Sequence, residues 1–138
     1  MIGYLDSSVL LRLVLAQPGR LEADLDVDAM VSSTLTELET RRTIDRLYAM
    51  GRLSTEALTG RLHAAESMLG ATSLIEIDRD VLRRAAAATS VPLGTLDAIH
   101  LASAALWRER TAQELIFFTH DSLLATAARL HGFEVIGA

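Results

Sequence analysis

Neither cysteine nor lysine occurs anywhere in the chain. Without cysteine there is no disulfide framework and no thiolate metal site, which is compatible with a reducing compartment. Without lysine, all 13 basic side chains are arginine. Arginine grips phosphate in a bidentate fashion, although a nucleotide bias in the coding genome accounts equally well for the same usage. An excess of positive charge is missing too. The net charge is −5, so there is no global electrostatic case for nucleic acid. Long apolar runs are absent: a membrane span needs about 18 such residues, and the stretch 9–16 is short and interrupted by Arg12. No charged segment with a cleavage site opens the sequence. These absences predict a soluble, cytoplasmic protein with no membrane partner.

What the chain does have is apolar content. Half of its 138 residues are hydrophobic and its mean hydropathy is +0.28. That length suits one domain, residues 1–138, with enough chain to bury a core. The apolar content is high for a small monomer and points to a surface covered by a partner.

Short apolar runs alternate with amphipathic segments, and no repeat or linker is visible. Strands are predicted at 2–6, 29–32, 74–77, 115–119 and 133–136. Helices are predicted at 7–16, 20–25, 33–50, 54–69, 79–89, 96–110 and 122–131. Ser33 or Thr34, Ser54, Asp78, Thr95, and Asp121 or Ser122 supply N-caps. Gly51, Gly70 and Gly132 supply stops. Strands alternating with helices predict an α/β fold, with a mostly parallel sheet of five strands covered on both faces. The helical pair inserted after the second strand, residues 33–69, is expected to project from the sheet.

Four acids fall where a predicted strand gives way to a helix: Asp6, Glu37, Asp97 and Asp121. Each has a local explanation. Asp6 and Asp121 suit helix N-caps, and Glu37 and Asp97 lie in first helical turns, where negative charge complements the macrodipole. Capping does not predict that all four share one edge. In a parallel sheet the strand C-termini form the ligand-binding edge. Carboxylates gathered there repel unless protons or a cation neutralise them, and a hard divalent ion with oxygen ligands answers that need. The matching chemistry is metal-assisted phosphodiester hydrolysis, which requires no nucleophilic side chain. Ser8 and Thr119 are candidates to orient a water at the metal, or are simply helix-start hydroxyls.

Among the histidines, His100 shares a helical face with Asp97 and suits a packed supporting role better than metal ligation. His120 is a weak candidate for phosphate contact. His63 reads as surface and His131 as structural. Arg41, Arg42 and Arg46 line adjacent stripes of one helix and are candidates to hold an RNA backbone. The competing reading is helix salt bridging, for instance Arg41 with Asp45.

On these residues the chain resembles the PIN-domain ribonucleases, and within them the VapC-type toxins of toxin–antitoxin pairs. The segments are Tyr4-Leu5-Asp6-Ser7-Ser8, Ser33-Thr34-Leu35-Thr36-Glu37, the stretch from Thr95 through Asp97 and His100 to Ala102, and Thr119-His120-Asp121 followed by Leu123, Ala127 and Gly132. The third is the most specific. The resemblance implies a three-layer α/β/α sandwich and endonucleolytic cleavage of RNA. It implies Mg²⁺ or Mn²⁺ held by Asp6, Glu37, Asp97 and Asp121. It also implies a homodimer and a cognate antitoxin. Some relatives carry a further acid two residues past the fourth, where this chain has Leu123, which puts a second metal in doubt. Two other classes compete with this reading. A phosphoryl-transfer domain also places aspartates at strand ends but demands a lysine. A binding module with structural acids would show no metal-dependent cleavage.

Overall fold

The computed structural model describes residues 1–15 and 26–138. Its elements in chain order are β1 (Ile2–Leu5), α1 (Ser7–Val14), β2 (Ala29–Ser33), α2 (Thr34–Ala49), α3 (Thr55–Gly70), β3 (Thr72–Ile75), α4 (Arg79–Ala86), α5 (Thr95–Thr111), β4 (Ile116–Phe118), α6 (Ser122–Leu130) and β5 (Glu134–Ile136). The short helix expected at 20–25 lies outside the described residues. The five strands form one sheet in the order β3-β2-β1-β4-β5. Every pairing is parallel, with β1 central between β2 and β4. This is the α/β architecture that the alternation of strands and helices predicts.

Side chains alternate across the sheet, as the two-residue period of a strand requires. Tyr4 and Phe117 face α5 and α6, where they pack with Leu101, Ala104, Leu124 and Phe133. Leu5, Ile116 and Phe118 face α1 and meet Val9. Tyr4 stacks on Phe117 with ring centroids 5.0 Å apart, an arrangement worth roughly 0.5–1.5 kcal/mol beyond area burial. Gly3 is required on the other face: a Cβ there would stand 2.8 Å from the Phe118 ring.

Two details differ from expectation. β3 starts at Thr72 and ends at Ile75, so Glu76 and Ile77 are not in the strand. Its ladder partner β2 ends at Ser33, which pairs with Ile75 and then caps α2, so nothing remains for the next residues to pair with. The N-cap of α5 is Gly94, without a side-chain bond, because Thr95 is already helical. Ser33, Ser54, Asp78 and Asp121 do cap their helices.

The α2–α3 pair projects less than expected. Ile44, Ala65 and Leu69 bury against Leu10 and Val14 of α1, forming a third apolar cluster. The outer turn, from Tyr48 to Glu56, is exposed at every position but Leu53. α4 lies against α5 on the other side, where Val81 meets Ile99, Ala102 and Leu106 together with Leu35 of α2.

Candidate active site

Because all strands run one way, the residues just after β1, β2 and β4 meet along one edge. α5 leads into the start of β4, so its N-terminus lies at that same edge. This geometry gathers Asp6, the start of α2, Asp97, and the turn Thr119–Asp121.

Asp6 is only 3 % exposed and its carboxylate is saturated with donors. Oδ1 accepts from the Ser8 hydroxyl at 2.6 Å and from the Val9 N–H at 3.1 Å. Oδ2 accepts from the Thr119 hydroxyl at 2.5 Å. Asp6 therefore caps α1 and also anchors the edge; the two roles are not exclusive. Thr119 Oγ1 in turn accepts the Asp121 N–H at 3.0 Å. Asp121 Oδ1 caps α6 through the Leu124 N–H at 2.8 Å, and its other oxygen takes no hydrogen bond among the described residues. The Ser8 and Thr119 hydroxyls thus give their protons to Asp6 rather than standing free for a water.

Asp97 stands in the first turn of α5, half-buried. Burial pushes its carboxyl above the usual carboxylate range. The negative charge of Asp121 adds to this, His100 opposes it, and Asp6 and Glu39 add further upward pressure. Asp97 therefore senses three other acids, from the ends of β1 and β4 and from α2.

The acid of α2 that bears on Asp97 is Glu39; Glu37 is not among the charges that reach it. Glu37 is exposed, and among the described residues it makes neither a hydrogen bond nor an ion pair. Glu39 lies two residues on, with its side chain 23 % exposed and Oε1 2.8 Å from His100 Nε2. Helical period explains the difference. The buried positions of α2 are Leu35, Thr36, Thr40 and Ile44. Position 39 borders that stripe, four past Leu35 and three past Thr36, whereas 37 faces away from it. The buried-face periodicity was the available signal, and strand-end position alone misses it. The Ser32 hydroxyl sets the start of α2 against β1, donating to the Leu5 carbonyl at 2.5 Å and lying 2.7 Å from Thr36 Oγ1.

Every ligating atom offered by these acids and hydroxyls is an oxygen, a set that suits a hard divalent cation. Burial and the neighbouring negative charges both disfavour the Asp97 carboxylate, and such a cation would offset them. Among the described residues, no group of three carboxylate or imidazole side chains stands close enough to hold one ion as the side chains lie.

The other candidates lie further out. His120 turns its ring to the Gly137 carbonyl, with Nδ1 at 3.1 Å, while its backbone N–H reaches Ser8 Oγ. Arg41 reaches Glu66 at 3.9 Å and Arg42 reaches Asp45 at 3.6 Å. Both pairs are exposed and long, so they hold these arginines weakly. Arg46 is exposed on the same helix.

Comparison with known proteins agrees with this architecture. The family model described as PIN domain matches residues 3–130. A curated relative, Ribonuclease VapC47 of Mycobacterium tuberculosis, is 30 % identical over 131 residues, covering 94 % of this chain and 92 % of the relative. Among solved structures, a member of the VapBC family of toxin–antitoxin systems, VapBC-5 from Mycobacterium tuberculosis, superposes with a TM-score of 0.65 at 21 % identity, covering 99 % of this chain and 98 % of the other. A structure from Pyrobaculum aerophilum gives 0.62 at 21 % identity, covering 98 % and 84 %. These two likenesses concern the fold.

Proposed function

The chain belongs to the PIN domain family, and on that premise we propose that it is a divalent-metal-dependent endoribonuclease acting as the toxin of a toxin–antitoxin pair. The observation that carries this is the gathering of Asp6, Asp97, Asp121 and Glu39 at one edge of the sheet, where burial first, and then the charges of Asp121, Asp6 and Glu39, push the Asp97 carboxyl upward. Several acids bearing on one another at the ligand-binding edge of a parallel sheet need a cation, and oxygen donors select Mg²⁺ or Mn²⁺.

In this reading Asp6, Glu39, Asp97 and Asp121 hold the cation, with Glu39 replacing Glu37. The chemistry supplied when it is bound is water activation and charge neutralisation at the scissile phosphate. The protein's own part is orientation. Ser8, Thr119 and the Val9 N–H fix both oxygens of Asp6. The α6 cap fixes one oxygen of Asp121. The Asp97 carboxyl, raised by burial and then by its acidic neighbours, would return toward the ordinary range with positive charge beside it. Arg41, Arg42 and Arg46, on the helix that carries Glu39, are suited to hold the RNA backbone on either side of the cut.

The partners follow from the same reading. The bound form would be a homodimer held by a protein antitoxin. The exposed Leu38, Tyr48 and Met50 along α2 offer apolar anchors for an antitoxin helix. A basic antitoxin side chain would then compete with the cation among the acids. Among the described residues no helix is long and apolar enough to cross a membrane.

The test is cleavage of a defined RNA by purified protein. Activity should require Mg²⁺ or Mn²⁺, vanish on chelation, return on readdition, and be lost in Asp97→Asn with the fold intact. Undiminished cleavage by that variant, with trace nuclease excluded, would overturn the assignment.

A further inference from the structure

A hydrogen-bonded line runs from the centre of the sheet to the acidic edge. Tyr4 Oη lies 2.8 Å from His100 Nδ1, and His100 Nε2 lies 2.8 Å from Glu39 Oε1. The three side chains come from β1, α5 and α2. Tyr4 is fully buried and His100 is 1 % exposed.

The protons along this line can be assigned from chemistry. Tyr4 is fully buried and a phenol ordinarily keeps its proton near neutral pH, so its O–H is available to donate. Ser103, the other hydroxyl near the phenol, gives its own proton to the Ile99 carbonyl at 2.7 Å. An ionised Glu39 only accepts, so the imidazole nitrogen facing it must carry hydrogen. A neutral imidazole has one N–H, which leaves Nδ1 as a lone pair for the Tyr4 hydroxyl. With a neutral imidazole, the arrangement Tyr4 O–H to Nδ1 and Nε2–H to Glu39 satisfies all of these atoms.

Stability alone does not ask for this line. Buried polar groups that merely satisfy each other contribute little over an apolar side chain of the same shape. Phenylalanine at 4 and leucine at 100 would suit the surrounding core. The line ends, however, on the carboxylate that bears on Asp97.

We infer that Tyr4 and His100 are positioning residues: Tyr4 selects the His100 tautomer whose Nε2–H faces Glu39, and His100 thereby fixes the Glu39 carboxylate for cation binding. The inference rests on the function proposed above, with Glu39 among the cation ligands. Groups that orient a ligating side chain from behind typically change metal affinity by about 10–100-fold when removed.

The experiment is a Mn²⁺ titration of the full chain without RNA, with free Mn²⁺ read by electron paramagnetic resonance. Wild type, Tyr4→Phe, Glu39→Gln and the double variant are compared. Tyr4→Phe keeps the ring stacked on Phe117 and should weaken Mn²⁺ binding about 10-fold. In the Glu39→Gln background the same change should have no further effect, because its route to the metal is already gone. Equal losses in both backgrounds, or no loss in either, overturn the positioning role while leaving the proposed function standing. If Glu39→Gln itself binds Mn²⁺ like wild type, Glu39 is no ligand, and that part of the function fails together with the inference. Nitrogen-15 spectra of wild-type His100 should show the Nε2–H tautomer; the Nδ1–H form would refute the arrangement directly. Should Tyr4→Phe fail to fold, His100→Gln replaces it. Its amide can still donate to Glu39 and should retain more affinity than His100→Leu, and equal losses would count against the inference.

Discussion

The Thr119 hydroxyl donates to Asp6 Oδ2 at 2.5 Å across 113 residues of sequence. Thr119 Oγ1 also accepts the Asp121 N–H at 3.0 Å, so one buried hydroxyl ties two acids from neighbouring strand ends. Thr119→Val keeps the shape and deletes the tie. A buried acceptor left without its donor costs about 1–3 kcal/mol. The variant should melt earlier by that margin and lose roughly 10–100-fold in cleavage, and Thr119→Ser should recover most of both. A threonine-to-valine change silent in both melting and cleavage would refute the tie.

Glu37 and Glu39 make a paired test on one helix. Glu39→Gln should abolish RNA cleavage and weaken Mn²⁺ binding, while Glu37→Gln should leave both near wild type. Single-turnover rates on one RNA distinguish them. Loss confined to Glu37→Gln would return the second acid to the position that strand-end reasoning favours.

Asp97 gives the cation-free protein a pH dependence whose sign can be stated. Its folded pKa is raised by burial, Asp121, Asp6 and Glu39, so folding favours its protonated form. The stabilisation is complete below the unfolded value, about 3.9, and is lost as pH rises through the higher folded value. Asp78 and Glu109, lowered by the Val81 N–H and by Arg84 respectively, work in the opposite sense. The difference between wild type and Asp97→Asn isolates the effect. Near neutral pH and without divalent ions, Asp97→Asn should melt higher than wild type, and the gap should close on acidification. A gap that is constant with pH would contradict the shift.

The arginines of α2 can be tested by salt. If Arg41, Arg42 and Arg46 meet phosphates, alanine at each should weaken RNA binding. Each change should also lower the slope of log affinity against log salt by about one unit. Unchanged slopes would leave Arg41 and Arg42 with their surface partners Glu66 and Asp45.

An antitoxin that inserts a basic side chain among the acids should bind less tightly as Mg²⁺ rises, and less tightly to Asp97→Asn. Calorimetry at several Mg²⁺ concentrations reads both. Affinity indifferent to metal and to Asp97 would mean that inhibition acts by occlusion elsewhere. Light scattering should find the free toxin dimeric, and a strict monomer at high concentration would remove that claim.

Much of the scaffold could be read from short-range pattern. The apolar runs Ile2–Leu5 and Leu115–Phe118 are buried on both sheet faces, so they stand out as unbroken stretches. Ser33, Ser54, Asp78 and Asp121 announce their helices because capping is local chemistry. What escaped was longer in range. The end of β3 depends on where β2 stops, 42 residues earlier by the Ser33–Ile75 register. The choice between Glu37 and Glu39 depends on which face of α2 meets α5, and His100, which marks that face, lies 61 residues beyond Glu39.

The order of the strands in space also sets when during synthesis an active enzyme can exist. β1 emerges first but sits at the centre of the sheet, flanked by β2 and by β4, the last strand but one. Asp6 waits for Thr119, and Asp97 and Asp121 both belong to the final third of the sequence. A chain still being translated therefore carries its first acid without the donor that seats it, and lacks two of the others. Contacts this distant in sequence close late in folding. The proposed site is accordingly complete only after β4 and the turn Thr119–Asp121 have been made.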